Sequence, residues 1–330
     1  MSTGLALLIF AVSLAATLFA ASVFAERLDV LGHRLQLPEA LIGVLTAAGA
    51  DAPELSSAVV ALAQGSHAVG VGVVVGSNVF NIAAMLGLSA VVVGRVRLAP
   101  EALALEGGVA LLITVIVGLL VFGVLPAWAT VLLVVLVLVP YGIVVSVAEG
   151  DRPKRLSLRQ WRHLRRSLGG TDRRQPVARR EVLGPMLVIP PAVAAIVLGS
   201  IGMVHSALTL ADRWGLPDAV VGAVLLAVLT SLPNAYTGIR LGRARRGAAL
   251  VSETMNSNTI NLVGGVAVPA LFVGFGHRFS GLLAVDVAWL LAATGVTVAL
   301  LWRPGGLRRG GGAILVASWV GFAVVQGIFG

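Results

Sequence analysis

Asp51-Ala52-Pro53-Glu54, followed downstream by Gly76-Ser77-Asn78-Val79-Phe80-Asn81, decides the reading of this chain, because the arrangement returns. Thr230-Ser231-Leu232-Pro233-Asn234 is followed, at the same distance from its proline, by Asn256-Ser257-Asn258-Thr259-Ile260-Asn261. One constant offset pairs Ala47 with Ala227, Pro53 with Pro233, Ser77 with Ser257, Asn78 with Asn258 and Asn81 with Asn261. A single polar motif could recur by chance, whereas two motifs held at one spacing indicate an internal duplication. Both copies sit in hydrophobic segments interrupted by Gly and Pro. In corresponding positions of two halves, that pattern points to the binding site of a secondary transporter.

Composition sets the surroundings of these motifs. Of 330 residues, 58% are hydrophobic and 12% charged, against about 25% charge in a soluble domain. Apolar runs of about 20 residues, enough to cross the hydrocarbon core, recur along the whole length. The chain therefore reads as an all-α membrane protein. A membrane barrel is excluded because stretches such as 109–125 do not alternate apolar with polar residues. There is no cysteine, which removes disulfides, thiolate metal sites and cysteine nucleophiles. The first apolar segment, 5–25, has no Lys or Arg before it and is expected to be a retained helix rather than a cleaved signal.

Ten segments can be drawn: 4–25, 37–64, 68–93, 102–123, 127–148, 183–204, 217–240, 248–275, 281–302 and 312–329. A basic stretch at 149–182 divides them five and five, giving a first repeat at 1–148 and a second at 183–330. An odd number of spans per half makes the two repeats inverted, with a site near the midplane between them. Placing 149–182 in the cytoplasm puts every basic residue except Arg213 and Arg278 on the cytoplasmic side, 22 of the 24, as the positive-inside rule requires. Both termini are then external, and the protein is expected in the plasma (cytoplasmic) membrane.

The net charge of +9 raises nucleic acid as a partner, but its position argues otherwise. Eleven basic residues crowd into 152–180, with Trp161 the only aromatic there, so no base-stacking platform is evident. Contact with anionic lipid headgroups fits this stretch better. Residues 156–168 could form a short amphipathic helix, and a solvated linker is the alternative.

The chemistry rests on Asp51 and Glu54. A carboxylate at bilayer depth costs a few kcal/mol even on insertion scales, which makes an intramembrane acid a functional candidate by default. The alternative, a loop carrying both acids, meets apolar runs on either side. Gly49 and Pro53 suggest a helix broken in mid-membrane, with Glu54 in the first turn of its second half, where proline is favoured. Ser77 with Asn81, and Ser257 with Asn261, are four apart and share a helix face. Their neutral oxygens, together with carboxylates, make a ligand set for hard cations such as Ca²⁺ and Na⁺. For each Ser or Asn alone, helix packing is the competing explanation, and it is preferred for Asn78 and Asn258. Glu253, on the same face as Ser257 and Asn261, is either a vestibule acid or a simple interfacial one. Glu106 and Asp286 read as interfacial acids or polar helix contacts, and His67, His205 and His277 as loop or loop-edge residues.

Residues 45–54 with 76–81 resemble the first alpha-repeat of the sodium/calcium exchanger family, within the calcium/cation antiporter superfamily. Residues 225–234 with 256–261 resemble the second. The resemblance implies ten transmembrane helices in two inverted five-helix repeats, with helices 2 and 7 broken and a central site built by helices 2, 3, 7 and 8. It implies no enzymatic activity and no resident cofactor, only transported Ca²⁺ exchanged against Na⁺, K⁺ or H⁺. Taken with the residues themselves, it gives as candidate ion-binding residues Asp51, Glu54, Ser77, Asn81, Thr230, Ser231, Asn234, Ser257 and Asn261, with Glu54, Asp51, Asn81 and Asn261 as expected ligands of Ca²⁺ or Na⁺. Two departures stand out. The first repeat has Ala50 and Asp51 where the family has hydroxyl residues, and the second has Asn234 where its acid belongs. One carboxylate has in effect moved from the second repeat to the first. An intramembrane enzyme using Asp51 and Glu54 as acid and base, a cation/proton antiporter without sodium coupling, and a transport-dead structural or sensing relative are the alternatives.

Overall fold

The computed structural model describes residues 2–35, 47–149, 183–273 and 281–329. The helices are α1 (Thr3–Arg34), α2 (Ala52–Ala63, preceded by a helical turn at 47–50), α3 (His67–Val93), α4 (Pro100–Val121) and α5 (Ala127–Glu149) in the first half. The second half contains α6 (Leu183–Trp214), α7a (Asp218–Thr230), α7b (Leu232–Arg243), α8 (Gly247–Leu262, continuing as a π-helical turn Val263–Ala267), α9 (Gly281–Trp302) and α10 (Arg309–Phe329). Long runs of Leu, Val, Ala and Ile take helical form here because in hydrocarbon each backbone N–H and C=O must be paired within its own segment. Glycines with positive φ close two of them, Gly94 after α3 and Gly215 after α6.

Seven of these helices, α1, α3, α4, α5, α6, α9 and α10, are each long and apolar enough to cross a membrane. α7a and α7b form an eighth span bent by 45° at Ser231. The protein is an integral membrane protein. Each of the ten expected segments contains a described helix, with two corrections to their ends. α1 and α6 each run 32 residues, about 48 Å at 1.5 Å per residue, well past residues 25 and 204. The loss of hydropathy at Glu26 and Arg27, and again at His205 and Asp212, does not end a helix whose backbone bonds continue. His205 accordingly lies within α6, exposed on its surface, rather than at a loop edge. The central basic stretch, its possible amphipathic helix at 156–168, and His277 lie outside the described residues.

α3 is the centre of the bundle, with 94% of its apolar window buried. It packs on α2, on α7a and on α9, while α8 packs on α4, and α1 lies along α6. Glycine sets the closest of these crossings. A Cβ on Gly76 would strike the carbonyl of Ala223, and one on Gly222 would strike the carbonyl of Val69. α3 and α7a therefore touch backbone to backbone, as small residues permit between membrane helices. At one end of the bundle the two halves are tied by a short antiparallel ladder. β1 (Arg95–Val96) follows α3, β2 (Leu307–Arg308) joins α9 to α10, and Arg95 pairs with Arg308.

Candidate cation site

The duplication is visible in the backbone at the two kinks. Asp51, between the turn at 47–50 and α2, has φ −82° and ψ −2°. Its equivalent Ser231, between α7a and α7b, has φ −80° and ψ 4°. Each is followed two residues on by a proline, which has no N–H, so the carbonyls of Gly49 and Leu229 lose their usual i+4 donors. Neither helix unwinds. The Asp51 N–H still bonds to Ala47 O at 2.8 Å, and the Leu55 N–H to Asp51 O at 3.0 Å. The expected break is thus a kink. It places Asp51 at the cap of α2 and Glu54 in its first turn, where the positive end of the helix dipole favours a carboxylate.

Asp51 and Glu54 are both 0% exposed. The Asn234 amide reaches both from α7b: its Nδ2 donates to Asp51 Oδ1 at 2.7 Å and to Glu54 Oε1 at 3.2 Å. From α8, the Ser257 hydroxyl also donates to Asp51 Oδ1 at 2.7 Å. Two more amides close on Ser257, Asn81 Nδ2 at 3.4 Å and Asn261 Nδ2 at 3.5 Å. The site thus draws on α2, α3, α7b and α8, two helices from each half. Asn81 sits in a π-helical turn, Phe80–Met85, a local widening that recurs at functional sites.

Several buried oxygens of these residues have no hydrogen-bond partner among the described residues: Asp51 Oδ2, Glu54 Oε2, Asn81 Oδ1 and Asn261 Oδ1, with the Ser231 hydroxyl beside them. Unpaired buried acceptors are costly. Carboxylate and amide oxygens gathered in this way form a donor set for a hard cation. Among the described residues no group of three or more His, Cys, Asp or Glu is gathered anywhere, so two carboxylates with neutral oxygens are what the site offers.

Other expected members stand differently. The Ser77 hydroxyl donates to Val74 O at 3.1 Å and the Thr230 hydroxyl to Leu226 O at 2.9 Å, each within its own helix. The Ser231 hydroxyl is buried and faces Glu54 without closing a hydrogen bond to it. Glu253 is half-buried, one turn before Ser257. Asn78 and Asn258, for which the sequence favours packing, join the network: Asn261 Nδ2 donates to Asn78 Oδ1 at 3.2 Å, and Asn78 Nδ2 to the Asn258 carbonyl at 3.3 Å. Asn258 Nδ2 then donates to Thr114 Oγ1 of α4 at 3.2 Å. Thr114 escaped the sequence reading, yet it has a signal, since the same offset of 180 pairs it with Thr294. That offset also pairs Glu106 with Asp286. Asp286 is buried and accepts a hydrogen bond from Gln326 of α10, which makes it a contact between helices.

The family model described as Sodium/calcium exchanger protein matches residues 5–148 and 186–328. The chain belongs to the sodium/calcium exchanger family. The family is one of exchangers, that is, of transport proteins. Among curated relatives, the Inner membrane protein YrbG of Escherichia coli K12 is 26% identical over 308 residues, 88% of this exchanger and 87% of YrbG. The Sodium/calcium exchanger MaX1 of Methanosarcina acetivorans is 26% identical over 137 residues, 40% of this chain and 37% of MaX1. Among solved structures, the sodium-calcium exchanger NCX_Mj soaked with 10 mM Na⁺ and zero Ca²⁺ superposes with a TM-score of 0.64 over 100% of both chains, at 17% identity. Native YfkE gives 0.62 over 96% of this chain and 91% of its own, also at 17% identity. At such identities these structures show the shared fold, that of a two-repeat exchanger.

Proposed function

We propose that this exchanger moves Ca²⁺ across the membrane against Na⁺ or H⁺ by alternating access, through the site formed by Asp51, Glu54, Asn81, Asn234, Ser257 and Asn261. The observation that carries the reading is the pair of fully buried carboxylates, Asp51 and Glu54, bound by side chains of the opposite half. Glu54 and Asp51 are the primary ligands. Asn81 and Asn261 supply amide oxygens, Ser257 and Asn234 hold the carboxylates in place, and Ser77, Thr230 and Ser231 line the site beyond them. Glu253 is assigned to the vestibule. Membership of the family, and the names of MaX1 and NCX_Mj, support cations as cargo; no resident cofactor is needed.

Topology follows the charge. The chain is assigned to the plasma membrane with repeats 1–148 and 183–330, the basic stretch 149–182 in the cytoplasm and both termini outside. The joining of β1 to β2 supports this, because two turns assigned to the cytoplasm meet on one side of the bundle.

A specific observation favours H⁺ as a coupling ion. Both carboxylates come from the first half and share one donor nitrogen, that of Asn234. Two acids held this close in a low-dielectric site call for a divalent cation or a proton between them. Uptake of labelled Ca²⁺ into proteoliposomes, driven separately by Na⁺ and by pH gradients, tests both readings. Gradient-driven Ca²⁺ uptake is expected, with a component that follows pH. Flux driven by Na⁺ alone and indifferent to pH between about 6 and 8 would remove the proton, and no flux under either gradient would favour a transport-dead relative.

A further inference from the structure

We propose that the groove between α9 and α10, together with the arginines at the turn joining them, is a binding site for one anionic phospholipid. The groove has a volume of about 500 Å³ and is lined by Val285, Ala288, Trp289, Ala292 and Val296 of α9 and Ile314 of α10, among others. Alanines at 288 and 292 leave the space. Its floor is fixed: Trp289 Nε1 donates to Ser318 Oγ at 3.1 Å, and the indole meets Phe322 edge-on. Val285, Val296 and Ile314 open it outwards. Both helices are long and apolar enough to span the bilayer, so the surrounding medium is hydrocarbon and the occupant that fits is an acyl chain.

The charge at one end of this groove selects the lipid. Arg303, Arg308 and Arg309 are all exposed at the α9–α10 turn. The β1–β2 ladder brings Arg95 opposite Arg308. Arg95 Nε and Arg97 Nε both donate to the carbonyl of Gly305, and the Arg309 guanidinium passes over Gly94. Four guanidinium groups from two turns, those of Arg95, Arg97, Arg308 and Arg309, are thereby gathered at this end, with Arg303 exposed at the end of α9. Arginine is the residue best suited to a phosphate, through its planar fork of donors. Val296 is about 10 Å along the helix axis from Arg303 at 1.5 Å per residue, a separation that the glycerol moiety of a phospholipid bridges. A headgroup phosphate on these arginines and a tail in the groove are therefore one ligand.

The test uses the full chain, delipidated in detergent, titrated with phosphatidylglycerol or phosphatidylcholine carrying brominated tails. Tryptophan quenching is read, and native mass spectrometry counts the bound lipid. Phosphatidylglycerol is expected to quench at concentrations about tenfold lower than phosphatidylcholine, and most of that signal should vanish in Trp289→Phe. Arg303→Gln with Arg309→Gln, both at exposed positions, should abolish the preference for phosphatidylglycerol while the protein stays folded. Ala292→Leu, which fills the groove, should weaken both lipids. Glycerol 3-phosphate alone should not compete. Equal binding of the two lipids overturns the proposal, as does a preference that survives the double arginine change, quenching that ignores Trp289, or competition by glycerol 3-phosphate at equal concentration. All of these readouts measure binding, so they are independent of whether the chain carries Ca²⁺.

Discussion

Asn234 and Glu54, equivalent residues 180 positions apart, are in direct contact: Asn234 Nδ2 donates to Glu54 Oε1 at 3.2 Å. With an acid at both positions, two carboxylates would face each other here. Asn234 instead donates to Glu54 and, through the same nitrogen, to Asp51. Both acids of the cluster therefore lie at one kink, that of α2, while the other kink provides neutral groups.

Glu54→Gln should abolish cation-driven flux with expression and detergent stability intact. The substitution keeps the size of a fully buried side chain and removes the charge a cation would meet. Labelled Ca²⁺ uptake in proteoliposomes is the measurement, and a Glu54→Gln protein that transports normally would remove the central ligand.

The two equivalent serines should behave differently. Ser257 donates to Asp51, whereas Ser77 donates to a carbonyl of its own helix. Loss of a hydrogen bond to a buried charged group costs about 1.5–3 kcal/mol. Ser257→Ala should accordingly lower apparent Ca²⁺ affinity by roughly tenfold or more, a factor corresponding to about 1.4 kcal/mol. Ser77→Ala should change it by much less. Equal effects in concentration-dependent uptake would show that the hydroxyls play symmetric roles.

Returning the second carboxylate to the other half should alter coupling. In Asp51→Ser with Asn234→Glu the two acids come from opposite kinks. Uptake driven by a Na⁺ gradient should rise relative to uptake driven by pH, compared with the native chain. An unchanged ratio would disconnect coupling from the placement of Asp51.

Gly76→Ala should destabilise the fold, because its Cβ meets the backbone carbonyl of Ala223 and neither backbone can swing aside. Overpacking of this kind costs about 1–3 kcal/mol. A Cβ on Gly108 in α4 meets nothing within 4 Å, which makes Gly108→Ala the control. Thermal unfolding in detergent should show a clear drop for the first and none for the second.

Cysteines introduced singly at Ser157 and Thr171 into this cysteine-free chain should be labelled only from the cytoplasm, and one at Gly330 only from outside. External labelling of the central stretch would overturn the inverted arrangement.

Much of this was legible in the sequence, because the features concerned are local or periodic. Hydropathy over about 20 residues fixes a span wherever backbone groups cannot meet water. A duplication survives as a constant offset, which relates Asp51 to Ser231, Glu54 to Asn234 and Ser77 to Ser257 within the sequence itself. Acids amid apolar residues marked α2, and proline marked its kink. The sequence could not show where each side chain directs its donor. Ser77 and Ser257 look alike in the chain, but only Ser257 faces Asp51. Thr230 turns back to Leu226, and Asn258 reaches Thr114 on a helix that carries no motif. Those outcomes depend on how closely helices cross, which is set by contacts such as Gly76 against Ala223, and on the π-helical turn that carries Asn81. A hydrogen bond has a reach of about 3 Å, so its partner is decided by the packing of distant segments. The same holds for the ladder between Arg95 and Arg308, which gathers arginines from two halves that the sequence keeps far apart.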